Sequence, residues 1–309
     1  MPEVLVRARS LTKKFGRFTA VDGIDFDLIR GEAFGFLGPN GAGKSSTMRM
    51  LGCVSPPTHG ELTILGGDPV RDGAAIRARL GVVPQEDTLD SELSVRENLL
   101  VYGRYFGLPR KLIGERTASL LDFVQLTERA DDQVDPLSGG MKRRLTIARS
   151  LINDPDILIL DEPTTGLDPQ ARHVVWDRLF QLKQRGVTLI LTTHYMDEAE
   201  QLCDRLVVMD HGRIAAEGTP RELIAQYSTP DVLELRFPPG LRDGAVQKVK
   251  DLSPERMEVT ADRILLYAAD GDEFLARVHE AGLEPLTELV RRSTLEDVFL
   301  HLTGRTLVD

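Results

Sequence analysis

The chain has 309 residues, a formal charge of -10 and a sequence pI near 5.2. That length exceeds one small core and suits a domain of about 200 residues followed by a smaller one. The acidic balance disfavours nucleic acid and anionic lipid as main partners, since both call for a basic face. Cys53 and Cys203 lack the C-x-x-C spacing of a metal or redox site, so they read as buried thiols of a reducing compartment. No basic start with a long apolar region opens the chain, and no run approaches the roughly 18 apolar residues of a membrane span. Any membrane must then be supplied by a partner.

In chain order, the first buried run is Ala33 to Leu37, and it ends in GPNGAGKSS. Gly38, Gly43, Lys44 and Ser45 fill the phosphate-loop pattern between a strand and a helix-compatible run, Ser45 to Leu51. Glycines let backbone N–H groups turn toward phosphate, and the following helix points its positive end at the same anion. Lys44 would reach the β and γ phosphates, and the Ser45 hydroxyl suits Mg²⁺. Leu80 to Val83 is a second buried strand, followed by Gln85. Helical periodicity then covers Ser94 to Phe106 and Arg110 to Phe123.

LSGGM, Leu137 to Met141, opens a helix expected over Gly140 to Leu151. Ser138, Gly139 and Gly140 repeat the physics of the first loop, although in isolation a plain Ser cap is the better reading of them. Ile157 to Leu160 is a buried strand that delivers Asp161 and Glu162, one for a Mg²⁺ shell and one to orient and polarise an attacking water. A helix over Pro169 to Lys183 and a strand over Val187 to Leu191 follow, the latter leading to His194. Parallel strands flanked by helices make an α/β core, with ligands beyond the carboxyl ends of the strands.

After Tyr227 the breakers STPD and FPPG mark a change. The expected order is strand Val232 to Phe237, helix Leu241 to Leu252, strand Met257 to Thr260, strand Ile264 to Ala268, helix Asp272 to Ala281 and strand Pro285 to Val290. That β-α-β-β-α-β order is ferredoxin-like α+β. A last amphipathic helix, Thr294 to Leu302, carries Leu295, Val298, Phe299 and Leu302 on one face, which either closes the small domain or meets a partner. The expected domains are 1–229 and 230–309.

Over roughly residues 4 to 227 the chain resembles the ATPase subunits of ATP-binding cassette (ABC) transporters. GPNGAGKSS matches the Walker A loop (Gly38, Pro39, Asn40, Gly41, Ala42, Gly43, Lys44, Ser45, Ser46). Gln85 matches the Q-loop glutamine, LSGGM the signature and ILILDEP the Walker B strand. Gly166, Leu167 and Asp168 match the D-loop, and His194 the switch histidine. The resemblance implies a P-loop NTPase cassette in which Glu162, His194, Lys44 and Gln85 serve catalysis. It further implies that Phe15 stacks on adenine, that Ser138 to Gly140 and Asp168 join the ATP site, and that Ser45, Gln85 and Asp161 hold Mg²⁺. Phe keeps the π face of the Tyr common at position 15 without its hydroxyl. Met141 stands where Gln is frequent.

LTTHYMDEAEQLCDRLVVMDHGRIAAEGTP (191 to 220) and TLEDVFLHLTGR (294 to 305) are most similar to the daunorubicin-resistance and nodulation-factor exporter ATPases. ATP and Mg²⁺ are the implied cofactors. A second ATPase subunit, either a copy of this chain or a related cassette, and integral membrane permease subunits are the implied partners, placing the chain on the cytoplasmic face of the membrane, with no nucleic acid and no metal site beyond Mg-ATP. The tail region would regulate or support assembly. A soluble ABC ATPase acting on ribosomes or DNA is the rival reading, but relatives of that kind carry two cassettes or a coiled-coil insertion. A binding module without catalysis is opposed by the intact Lys44, Asp161, Glu162 and His194.

Overall fold

The computed structural model describes residues 3–238 and 240–304. Parts of two expectations, the FPPG breaker at Pro239 and the end of TLEDVFLHLTGR at Arg305, lie outside the described residues. The chain divides into two compact units at Thr219/Pro220. The helix Pro220–Tyr227 thus groups with the second unit, ten residues before the expected boundary at 229/230. Its packing against the helix Leu295–Thr303 is the reason.

In the first unit a six-stranded sheet runs in the order Leu80–Val83, Ile157–Asp161, Thr188–Thr193, Ala33–Leu37, Arg205–Asp210, Arg213–Gly218. All neighbours are parallel except the last pair. Ala33–Leu37 and Thr188–Thr193 are buried at every position, as strands covered on both faces must be. The second of these begins one residue later than expected, because the Val187 N–H still closes the preceding helix onto Leu182 O at 3.1 Å. Helices Val95–Tyr105, Arg110–Phe123, Gly139–Ser150 and Pro169–Gln184 stand where periodicity placed them, within two residues. Ser94 and Glu97 form a reciprocal capping box at the start of the first.

A three-stranded antiparallel sheet, Phe18–Ile29, Val4–Phe15, His59–Ile64, was not anticipated. Its register shifts between Ala8 and Leu11 and again around Lys13, so the two-residue alternation that marks a strand is broken in the sequence. The two sheets share one core in which Phe26, Phe34 and Phe36 meet at centroid distances of 5.2 to 5.8 Å.

The second unit has the expected β-α-β-β-α-β order, with a sheet ordered Arg256–Val259, Ile264–Ala268, Asp231–Arg236, Thr287–Arg292 and antiparallel throughout. Alternate residues face opposite layers. Leu233, Leu235, Ile264 and Leu266 pack with Val249, Phe274 and Val278 of the two crossover helices, while Val232, Leu265 and Tyr267 meet Leu300 of the last helix. That helix buries Leu295, Val298 and Phe299 completely or nearly so, which is the domain-closing alternative.

Candidate functional site: a phosphate loop and two carboxylates

The loop 38–43 leaves the buried strand Ala33–Leu37 and enters the helix Lys44–Leu51. Gly43 has φ 104°, and a Cβ there would come within 2.4 Å of Ala20 O. A Cβ on Gly38 would come within 2.4 Å of Met209 O. No other residue fits either place without moving backbone, so the loop stays bare of side chains at these two positions. Lys44 is only 4 % exposed, and its Nζ donates to Gly38 O at 2.7 Å and to Pro39 O at 3.1 Å. Burial pushes its pKa down, opposed by the charges of Glu162 and Asp161.

The strand Ile157–Asp161 brings its two carboxylates to the same end of the sheet. Asp161 Oδ1 accepts from Thr192 Oγ1 at 2.6 Å and lies 3.5 Å from Ser45 Oγ. Glu162, 7 % exposed, collects four neighbours. Gln85 Nε2 donates to its Oε2 at 3.2 Å and Thr165 Oγ1 donates at 3.1 Å. Lys44 Nζ is 3.7 Å from Oε1, and His194 Nδ1 is 3.4 Å from Oε2. The contact with His194 first, then the charges of His194 and Lys44, hold the Glu162 carboxyl below its ordinary value against the opposing effect of burial. The His194 contact is an ion-pair distance off the hydrogen-bond direction, so Nδ1 is buried without a hydrogen-bond partner.

A cleft of about 200 Å³ lies over this cluster, lined by the loop from Pro39 to Ser46 with Gln85, Glu162, Ala20 and Phe18. Lys44, Ser45, Gln85, Asp161, Glu162 and His194 are therefore brought together. The signature is not: Ser138, Gly139 and Gly140 do not line the cleft. Ser138 Oγ accepts from Met141 N–H at 3.3 Å as the cap of its own helix, leaving its O–H free to donate. Asp168 is likewise the cap of the helix Pro169–Gln184, accepting from Ala171 N–H at 2.9 Å. Phe15 is half exposed at the hairpin tip with Lys13 Nζ 5.1 Å from its ring centroid, and its cross-strand neighbour Phe18 is the aromatic residue that reaches the cleft.

Three residues were missed from sequence. Thr192 donates to Asp161 and accepts the N–H of Glu162 at 2.9 Å, Thr165 holds the Glu162 carboxylate, and Arg143 reaches the backbone behind it. Thr192 stands two residues before His194 and Thr165 three after Glu162, so position beside a strand end was the available signal.

The donor set fits a magnesium triphosphate. Ser45 and Asp161 offer hard oxygens close together, Lys44 offers a buried ammonium, and the glycine positions leave backbone N–H groups accessible. A phosphate loop at the carboxyl end of a parallel sheet, with two carboxylates and a histidine facing it, defines a P-loop ATPase.

Comparison with known proteins resolves the class further. The family profile described as "ABC transporter" matches residues 21–165, and that of "Nodulation factor export protein NodI, C-terminal domain" matches 244–304. The chain is 48 % identical to the Nod factor export ATP-binding protein I of Paraburkholderia xenovorans (strain LB400), across 100 % of both chains. It is also 48 % identical to that of Rhizobium sp. (strain N33), over 99 % of each. Among solved structures it is similar to cbiO1 from Clostridium perfringens, part of the ABC transporter complex cbiONQ, with a TM-score of 0.67 and 30 % identity over 72 % of this chain and 92 % of that one. It is similar as well to a dimeric post-hydrolysis state of the cassette MJ0796 bound to ADP and Pi, with a TM-score of 0.63 and 27 % identity over 69 % and 98 %.

The chain belongs to the ABC transporter family, as an ATP-hydrolysing, ATP-binding subunit. That membership favours a transporter subunit over the ribosome- or DNA-directed alternative. No helix among the described residues is long and apolar enough to cross a membrane.

Proposed function

We propose that two copies of this chain pair head to tail, each phosphate loop facing Ser138 to Gly140 of the other copy. Closure of the pair on ATP would drive a separate membrane permease that exports a drug, lipid or glycolipid cargo. The observation that carries this reading is the separation, within one chain, of its two phosphate-reading loops: Lys44 lines the cleft and the signature does not. A second copy would supply the missing wall. The similar cassette solved as a dimer bound to ADP and Pi supports pairing of two copies, and the relatives named for Nod factor export support the outward direction.

In this reading Ser45, Asp161 and Gln85 would hold Mg²⁺, which when bound neutralises phosphate charge. Lys44 counters the β and γ phosphates. Glu162, kept ionised by Lys44 and His194, orients and polarises the attacking water, and His194 senses the γ-phosphate. Phe15 provides the adenine platform, with Phe18 beside it. Gln85 also borders a second groove of about 360 Å³, lined by Met48, Val54, Val82 and Pro84 among others. We assign that groove to the permease, which would keep the chain peripheral to the cytoplasmic face of the membrane. Residues 220–304 would support assembly or regulate it.

Complementation between defective copies tests the pairing. Lys44→Ala and Ser138→Arg chains are each expected to be inactive alone, and their mixture is expected to regain one intact site and measurable ATP turnover. A mixture as inactive as its components would reject the shared site.

A further inference from the structure

Arg143 lies on the helix Gly139–Ser150, five residues beyond Ser138, and is 9 % exposed. Its guanidinium meets backbone carbonyls. Nε donates to Pro163 O at 2.6 Å, Nη2 donates to Asp161 O at 3.0 Å and Glu162 O at 3.2 Å, and Nη1 donates to Pro84 O. These four acceptors belong to two segments at the ends of the strands Leu80–Val83 and Ile157–Asp161, where the sheet ladder runs out of partners. A planar, fixed fork of donors satisfies them together, which a flexible ammonium could not.

What the fork holds is unusual. Glu162 sits at φ 45°, in the left-handed region that a glutamate rarely adopts, and such a conformation persists only where the surroundings over-determine it. Both of its backbone groups are held by side chains: its N–H donates to Thr192 Oγ1 and its carbonyl accepts from Arg143. A second of the four anchored carbonyls, that of Pro84, immediately precedes Gln85, whose amide donates to the Glu162 carboxylate at 3.2 Å. One side chain from the LSGGM helix therefore grips the backbone behind both members of the Gln85–Glu162 contact.

We infer that Arg143 is a positioning residue for ATP hydrolysis, holding Gln85 and Glu162 in register with the LSGGM helix so that a shift of that helix re-aims the Glu162 carboxylate. Arg143 acts only through those two residues. The inference rests on the proposed role of Glu162 toward water. The neighbouring Arg144 donates to Val124 O instead, away from both segments, and serves as the control.

The test compares full-length Arg143→Lys, Arg143→Gln, Arg144→Gln and Glu162→Gln for thermal midpoint, ATP affinity, kcat and KM. Both Arg143 variants are expected to stay folded and to keep affinity and KM within about threefold, while kcat falls about 10- to 100-fold, the scale of a misplacement near 1 Å. Arg143→Lys should lose less than Arg143→Gln, and Arg144→Gln should keep wild-type kcat. In the Glu162→Gln background, Arg143→Lys should lower turnover no further, since the carboxylate it aims is gone. Wild-type kcat in both Arg143 variants, unfolding of both, a parallel loss of affinity, an equal fall in Arg144→Gln, or an additive loss in the double variant would each overturn the inference. Wild-type turnover in Glu162→Gln alone would instead remove the underlying site reading, and this inference with it.

Discussion

Lys44 Nζ lies 3.7 Å from Glu162 Oε1, with both side chains almost completely buried. A buried ion pair costs desolvation that only close additional partners offset, and here the carbonyls of Gly38 and Pro39 serve the ammonium while Gln85 and Thr165 serve the carboxylate. The two charges that the chemistry requires therefore also satisfy each other.

Glu162→Gln keeps the shape and the donors around it but removes the charge. Turnover is expected to fall about 10²-fold or more, the scale of losing an acid-base group. ATP should then be retained in a stable dimer. Size-exclusion chromatography with ATP and steady-state hydrolysis together check this, and undiminished turnover would contradict the assignment.

Lys44→Ala removes the ammonium that lines the cleft. Tight triphosphate binding should be lost, and a fluorescent-nucleotide titration giving wild-type affinity would refute the phosphate-loop assignment.

Gly43→Ala places a methyl group 2.4 Å from Ala20 O at φ 104°. The strain should cost about 1–3 kcal/mol. Urea unfolding would measure it, and ATP affinity should fall with it, because the loop must shift.

In the second unit, Asp297 is fully buried, accepts from both Nη1 and Nη2 of Arg291 at 2.7 and 3.0 Å, and accepts from Tyr267 Oη at 3.1 Å. Burial alone would raise its pKa, but Arg291 and the Thr294 N–H carry it below the ordinary 3.8. The folded value is depressed, so the stabilisation is complete above the unfolded value and is lost as pH falls through the lower folded one. Asp297→Asn should cost about 3 kcal/mol at pH 7. The gap to wild type should narrow from about pH 5 downward, as the unfolded carboxyl protonates. Denaturation of both proteins at pH 7, 5 and 3 reads this out. A gap independent of pH down to 3 would show that the charge is not what stabilises.

Truncation after Thr219, where the compact units separate, should leave a folded cassette that binds ATP but assembles or couples poorly. Normal export driven by the truncated chain would remove the assembly role from residues 220–304.

Chemistry was legible in the sequence wherever it depended on short spacing. The phosphate loop, the two carboxylates, Gln85 and His194 each follow a run of buried apolar residues, and a parallel sheet collects the ends of such runs. The second unit was legible for a related reason: its strands are short apolar runs set between breakers and helix-period segments, and Ile264–Ala268 is buried at every position. The first sheet was hidden by its bulges, and the unit boundary by a helix, Pro220–Tyr227, whose partner lies some seventy residues further on.

The order of motifs along the chain determined the class of protein, because each motif is a local arrangement that needs only its own few residues. Tertiary structure alone decided which aromatic residue reaches the cleft, that Thr192 and Arg143 hold the backbone of Glu162, and that one chain leaves its signature loop outside its own ATP site. Those facts depend on contacts between segments 19 to 77 residues apart, and such contacts exist only once the sheet has closed and its core has excluded water.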